Sequence, residues 1–245
     1  MGSVVIHAEP GIEWQGKFAP KMQAGLKALG IDAPISNVRR RMSDVSILLG
    51  TTLWRGIEAD GRFLLVDRAS FGDPDFVQLV WDGHGRRGDH RVPENTGDRW
   101  DRLSKDFPIR PWDFTGNRTV LCGQTETYSP HYATPEEWYK TVKATHFRKH
   151  PAGSNPTGLP RASDWTDCTL AVTLNSSVAV DAVMNGIPAV TMDAGAMAWP
   201  VASHYANIAA VTDRGPWLEW LAWTQWHHDE IRDGEPIRHL FEDAL

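Results

Sequence analysis

The stretch TLAVTLNSSVAVDAVMNGIPAVTMD, residues 169–193, decides the reading of the fold. An apolar run, Leu170 to Leu174, predicts a buried strand that delivers the chain to Asn175-Ser176-Ser177. A helix is expected over 178–185, ended by Gly186, with a further strand over 189–192. Strand, helix, strand with short joints is the unit of a parallel sheet covered by crossover helices. Ser is a good N-cap, and a helix start offers backbone N–H groups and the positive end of the dipole. A phosphate could be received there, with Ser176 and Ser177 adding hydroxyl donors. Asp181, one turn on, could accept hydrogen bonds from a ribose diol.

The same rhythm runs outward in both directions. In the first half, strands are expected over 3–7, 45–49, 63–66 and 76–81, with a helix over 18–29 ended by Gly30. Residues 86–118, rich in Arg, Asp, Gly and Pro, predict a long loop and then a linker. A second α/β unit follows, with strands over 119–123 and 145–148 and a helix over 135–144. The tail from Trp217 to Leu245 reads as helical, with Trp217, Trp220, Leu221 and Trp223 near one face and packed against another domain. The expected organisation is therefore a first α/β domain, 1–115, a second, 116–215, and a helical tail, 216–245.

Composition narrows the classes. The chain has 245 residues, net charge −6, and only two cysteines, Cys122 and Cys168, so neither a disulfide framework nor a zinc ribbon is expected and a reduced, cytoplasmic setting is. No apolar run approaches the roughly 20 residues that span a bilayer, and the opening residues carry no basic region, so no membrane role is expected. Residues 1–115 hold 16 basic and 16 acidic side chains, and the deficit lies wholly in 116–245, with 9 against 15. Nonspecific wrapping of duplex DNA needs more positive charge than this. Local basic clusters do occur, at Arg39-Arg40-Arg41 and at Arg86-Arg87 with Arg91.

Ligands of open α/β sheets sit beyond the carboxyl ends of the strands. That rule nominates His7 and Glu9 after the first strand, Asp67 after the third, and Asp82 and His84 after the fourth. Asp67 ranks first as a general base, because it stands directly at a strand end. A metal cluster of Asp82, His84, Asp89 and His90 fits no known ligand spacing, and no Asp-x-Asp motif is present, so no metal is expected. His227-His228-Asp229-Glu230 point in successive directions on a helix and predict a solvated face. The absence of Gly-x-Gly-x-x-Gly after the first strand, and of a P-loop, argues against dinucleotide oxidoreductases and NTPases.

The order strand, Ser-Ser, helix, acid, Gly-x-Pro, strand in 169–193 resembles the donor-binding half of GT-B type glycosyltransferases, especially capsule-polysaccharide-like and bacteriophage members. Phe147-Arg148-Lys149-His150-Pro151 resembles their Arg/Lys-x-His-Pro segment. Leu65-Val66-Asp67-Arg68 with Phe71-Gly72, Leu121-Cys122-Gly123-Gln124, and the tail Leu221 to Trp226 with Glu230, Ile231 and Gly234 are similar to pieces of small phage-encoded glycosyltransferases. The likeness covers roughly residues 60–84 and 117–240, and its order along the chain is what persuades.

This resemblance implies two Rossmann-like domains facing a central cleft, with the C-terminal helix packing back across. It implies a nucleotide-sugar co-substrate, a UDP-sugar, bound by Gln124, Arg148, His150, Ser176, Ser177 and Asp181, the last at the ribose. Asp stands at 181 where many relatives have Glu, a shorter reach. Asp67, Asp82, His84 and Glu9 become the catalytic candidates. The acceptor implied is a 5-hydroxymethylpyrimidine in phage DNA, reached by base flipping, with Arg39, Arg40, Arg41, Arg86 and Arg87 on the backbone. A surface polysaccharide or small acceptor, and a non-catalytic nucleotide-sugar-binding module, are the competing readings.

Overall fold

The computed structural model describes residues 2–38, 43–51, 62–124, 135–151, 153–202 and 213–241. In chain order its elements are β1 (Val4–His7), α1 (Glu13–Ala28), β2 (Ile35–Ser36), β3 (Val45–Leu49), β4 (Arg62–Arg68), β5 (Phe76–Trp81) and α2 (Arg99–Leu103). There follow β6 (Arg118–Cys122), α3 (Pro135–Tyr139), β7 (His146–Arg148), β8 (Cys168–Thr173), α4 (Val178–Met184) and β9 (Ala189–Thr191). The chain closes with α5 (Gly215–Ala222), β10 (Gln225–His227), α6 (His228–Arg232) and α7 (Glu235–Phe241). It divides into two units, Met1–Trp100 with Glu219–Leu245, and Asp101–Leu218.

The first unit holds a six-stranded sheet in the order β10-β5-β4-β3-β1-β2. Strands β2, β1, β3 and β4 are parallel. The parallel rhythm expected for the whole half stops there, because β5 runs antiparallel to β4. Only residues 69–75 join them, and a parallel return needs a dozen residues or more. One face of this sheet carries Val4, Ile6, Ile47, Leu49, Leu64, Val66, Leu79 and Trp81, all buried. Against it pack Phe18, Met22 and Leu26, which recur every four residues on one side of α1. Ile231, Ile237 and Leu240 from the chain end complete this core. At Gly25 an added Cβ would stand 2.0 Å from the Ile231 carbonyl oxygen, so only glycine lets α1 lie this close to α6.

The tail is not purely helical. Gln225–His227 adds an antiparallel edge strand beside β5. Three residues with one core-facing side chain, Trp226, are too few to show a period of two. Arg99 anchors this return. Its side chain is 2% exposed, donates to the Ala222 and Gln225 carbonyls, and pairs with both Glu230 carboxylate oxygens. The loop and linker expected over 86–118 therefore contain a structural residue of the first unit. Glu230 also accepts from the His227 amide in a capping box at the start of α6, so of the expected solvated face Asp229 is exposed while Glu230 is tied into the fold.

The second unit holds a parallel sheet in the order β7-β6-β8-β9. Leu121, Phe147, Val172 and Leu174 bury one face with Trp138 and Tyr139 from α3. The small residues Ala179, Val180, Ala182 and Val183 of α4 are buried, and the helix lies against β8 and β9. Gly186, at φ +79°, ends α4, with the Ile187 amide reaching back to the Ala182 carbonyl. This is the Gly-x-Pro turn read from the sequence. The parallel runs β2-β1-β3-β4 and β7-β6-β8-β9 share one order, which puts the topological switch points beyond the carboxyl ends of β1 and β3 and of β6 and β8.

Candidate functional site

In the first unit the structure separates the nominated acids. Because β5 is antiparallel, Asp82 follows it at the amino end of β4. There its carboxylate accepts from the Phe63 amide at 2.9 Å and from Arg62 Nε at 3.0 Å. Asp82 is thus a brace for the β4–β5 ladder, at the wrong end of the sheet for the role expected of it. The chain then doubles back, with Trp81 and Asp89 bonded in both directions. Gly88 lies so close to the sheet that a Cβ would meet Val80 Cγ2 at 2.1 Å. Val80 and Asp67 share a face in the β4–β5 register, and on it His84 Nε2 comes 3.3 Å from Asp67 Oδ2. Both side chains are a little over a quarter exposed. Asp67 and His84, nominated separately, form one pair.

Glu9 stands beyond β1, its amide donating to Gln15 Oε1 at 2.6 Å. The Gln15 side chain is buried and also borders Gly50, the residue after β3, so it ties the two sides of the switch point. Glu9 lines a cavity of about 440 Å³ with Pro10, Pro20, Ile35, Ser36 and Asn37. His7, the last residue of β1, is fully buried. Its Nδ1 lies 3.0 Å from the Val38 carbonyl, and its Nε2 is buried without a partner. Burial pushes its pKa below the ordinary histidine value.

The basic candidates fare differently. Arg39, Arg40 and Arg41 lie outside the described residues. Arg86 is half-buried, with its guanidinium 5.9 Å from the Trp220 ring, whereas Arg87 is exposed. Among the described residues no three His, Cys, Asp or Glu side chains are placed to hold a metal ion, and no helix is long and apolar enough to cross a membrane.

In the second unit Arg148, the last residue of β7, and Asp181 of α4 meet at 2.9 Å. The Trp165 indole donates to the same carboxylate oxygen at 2.9 Å, and Arg148 lies over the Trp165 ring at 4.5 Å. Asn185 donates to the other oxygen at 3.1 Å. Ser177 occupies the N-cap position of α4 but makes no side-chain cap bond; the Ser176 hydroxyl instead accepts from the Val178 amide at 3.3 Å. The Gln124 backbone is bonded to the Tyr139 hydroxyl, while its side-chain Oε1 is buried and unpartnered. Burial holds the His150 pKa below the usual histidine value. Cys122 is pushed up to about 12 by burial, which makes its thiol inert.

Sequence reasoning missed Trp165 and Asn185, which partner Asp181, and Asp193. Asp193 is fully buried just beyond β9, accepting from the Gly195 amide and from Asn175 Nδ2. The strand-end rule that nominated Asp67 applies equally to Asp193. Nothing in the sequence around Trp165 signals its place, because it follows a loop tied to the edge strand β7 through the Phe147 bonds to Pro160 and Ala162.

No protein-family model matches the sequence, and no curated protein matches it. Solved structures do. KpsC from Thermosulfurimonas dismutans, a beta Kdo 2,7 transferase, superposes with a TM-score of 0.52 over 96% of this chain and 99% of its own, at 14% identity. The fold is similar to that of a Kdo transferase. This likeness agrees with the α/β class and parallel sheets expected from residues 169–193, and at this identity it speaks to fold alone.

Proposed function

We propose that the chain is a glycosyltransferase that moves a sugar from a nucleotide-sugar donor to a hydroxyl acceptor, the second unit binding the donor and the first supplying the base. Supporting this reading is one coincidence on a transferase-like fold. An imidazole–carboxylate pair stands at a strand end of the first unit, and a guanidinium stands at a strand end of the second. Transfer requires an acceptor hydroxyl to lose its proton and a diphosphate to leave. His84 takes the proton, and Asp67 holds the ring and stabilises the imidazolium that forms. Arg148 stabilises the departing charge with directed N–H donors, and backbone amides near Ser176 and Ser177 add to it. Glu9, which lines its own cavity, is the further acidic candidate on the acceptor side.

The acceptor favoured is a saccharide hydroxyl. KpsC is a Kdo transferase, and within the 86–91 basic cluster Arg86 is half-buried against Trp220 and Arg91 lies beside Asp89. The exposed Arg87 and the arginines at 39–41 keep a 5-hydroxymethylpyrimidine in DNA as the second reading, with a UDP-sugar as donor. Incubation with nucleotide sugars and each acceptor class, read by intact mass, separates the two: a hexose-sized gain on the nucleoside selects DNA. A non-catalytic binding module would hold the donor and transfer nothing.

A further inference from the structure

The resemblance assigns Asp181 to a ribose diol, but its surroundings give it other work. Its Oδ2 accepts from Arg148 Nη1 and from Trp165 Nε1, both at 2.9 Å, and Oδ1 accepts from Asn185 Nδ2 at 3.1 Å. A carboxylate has about four acceptor positions. These three donors leave about one, short of the two that a bidentate diol needs.

Arg148 presents the converse. Of its five N–H donors, the one directed at Asp181 is the only one that makes a hydrogen bond among the described residues. The guanidinium is held at Nη1 by the carboxylate and across one face by the Trp165 ring, and the side chain is 28% exposed. It sits level with Cys122 at the carboxyl edge of β6, beside the switch point. A planar fork held at one nitrogen and on one face, with its remaining donors uncommitted, is prepared for a bidentate oxyanion. The adjacent acid cancels much of its net charge, so recognition here depends on direction more than on field.

We infer that Asp181 and Trp165 are positioning residues that orient Arg148 for phosphoryl oxygens, and that Asp181 does not receive the ribose. Naming the anion as the donor's diphosphate rests on the transferase reading; the orienting clamp does not.

The test is calorimetric titration with inorganic pyrophosphate, UDP and 2′-deoxy-UDP, joined to nitrogen-15 NMR of arginine side chains. Wild type is expected to bind pyrophosphate, and Arg148→Lys, which keeps the charge and loses the fork, to weaken it at least tenfold. Asp181→Asn is expected to leave the UDP to deoxy-UDP affinity ratio within twofold of wild type, while the resolved Nη resonances of Arg148 average together. Trp165→Phe keeps an aromatic face, removes the N–H, and should broaden the same resonances, a check should Asp181→Asn fold poorly. Absence of pyrophosphate binding, or an Asp181→Asn protein that loses ribose discrimination with Arg148 still ordered, would overturn the inference. Pyrophosphate bound through Arg148 with no sugar transferred to any acceptor would overturn the transferase reading and leave the clamp standing.

Discussion

Replacing Arg99 with Met removes a guanidinium that is 2% exposed and makes four hydrogen bonds within the first unit. Two go to the Ala222 and Gln225 carbonyls and two to the Glu230 carboxylate. The group also stacks 3.9 Å from the Trp226 ring centroid. Met fills most of the volume, so the loss is chiefly electrostatic. Breaking a buried pair by removing one partner costs about 3–5 kcal/mol, because the other groups are left unpaired. Glu230 is 23% exposed and can turn toward water, which places the expected loss near the lower end, at about 3 kcal/mol. Glu230→Met alone should cost less, and the double Met variant should recover part of the sum, since two apolar groups leave no orphaned charge. Urea unfolding followed by tryptophan fluorescence measures the totals. Hydrogen exchange at the Gln225 and Gln78 amides, paired across β10 and β5, shows whether the tail opens first. An Arg99→Met protein within about 1 kcal/mol of wild type would refute the view that this network holds the chain end to the first unit.

Three further outcomes follow from the same structure. Gly186→Ala should unfold or strongly destabilise the second unit, because φ is +79° and the new Cβ would lie 1.9 Å from the Pro111 carbonyl oxygen; thermal melting checks it. Protonating buried His7 would give Nε2 a charged N–H with no acceptor, so its folded pKa lies below the unfolded value of about 6.5. That stability is fully present above pH 6.5 and is lost as pH falls through the folded pKa; His7→Gln should flatten this limb in a pH series of melts. His84→Gln should leave pyrophosphate affinity unchanged and lower the transfer rate about 10²–10⁴-fold, the range a positioned base supplies.

Much of the second unit was legible because its strands are continuous apolar runs and its turns carry their own chemistry. Gly186 needs a positive φ and stands where the helix was expected to stop. The tail strand was not legible, since Gln225–His227 pairs with β5 by long-range register and has no local pattern of its own. The antiparallel turn of β5 could have been read from the shortness of 69–75. Missing it placed Asp82 at the functional edge and left Asp67 without its partner. His84 reaches Asp67 only because Gly88 lets the loop fold onto the sheet, a contact that spacing along the chain does not reveal. Arg99 was not legible as a structural residue for a related reason, since it sits in a polar, proline-rich stretch yet is among the most buried charged groups of the first unit.

The central claim, sugar transfer with His84 and Asp67 as the base pair, is tested most directly by one assay. Purified protein meets a panel of nucleotide sugars with saccharide acceptors and with DNA bearing 5-hydroxymethylcytosine or 5-hydroxymethyluracil, and products are read by intact mass. The account predicts a gain of one sugar on one acceptor class, abolished in Asp67→Asn while donor binding persists. Full transfer by Asp67→Asn would contradict the base assignment, and a wild-type protein that neither binds nor transfers from any donor would contradict the account as a whole.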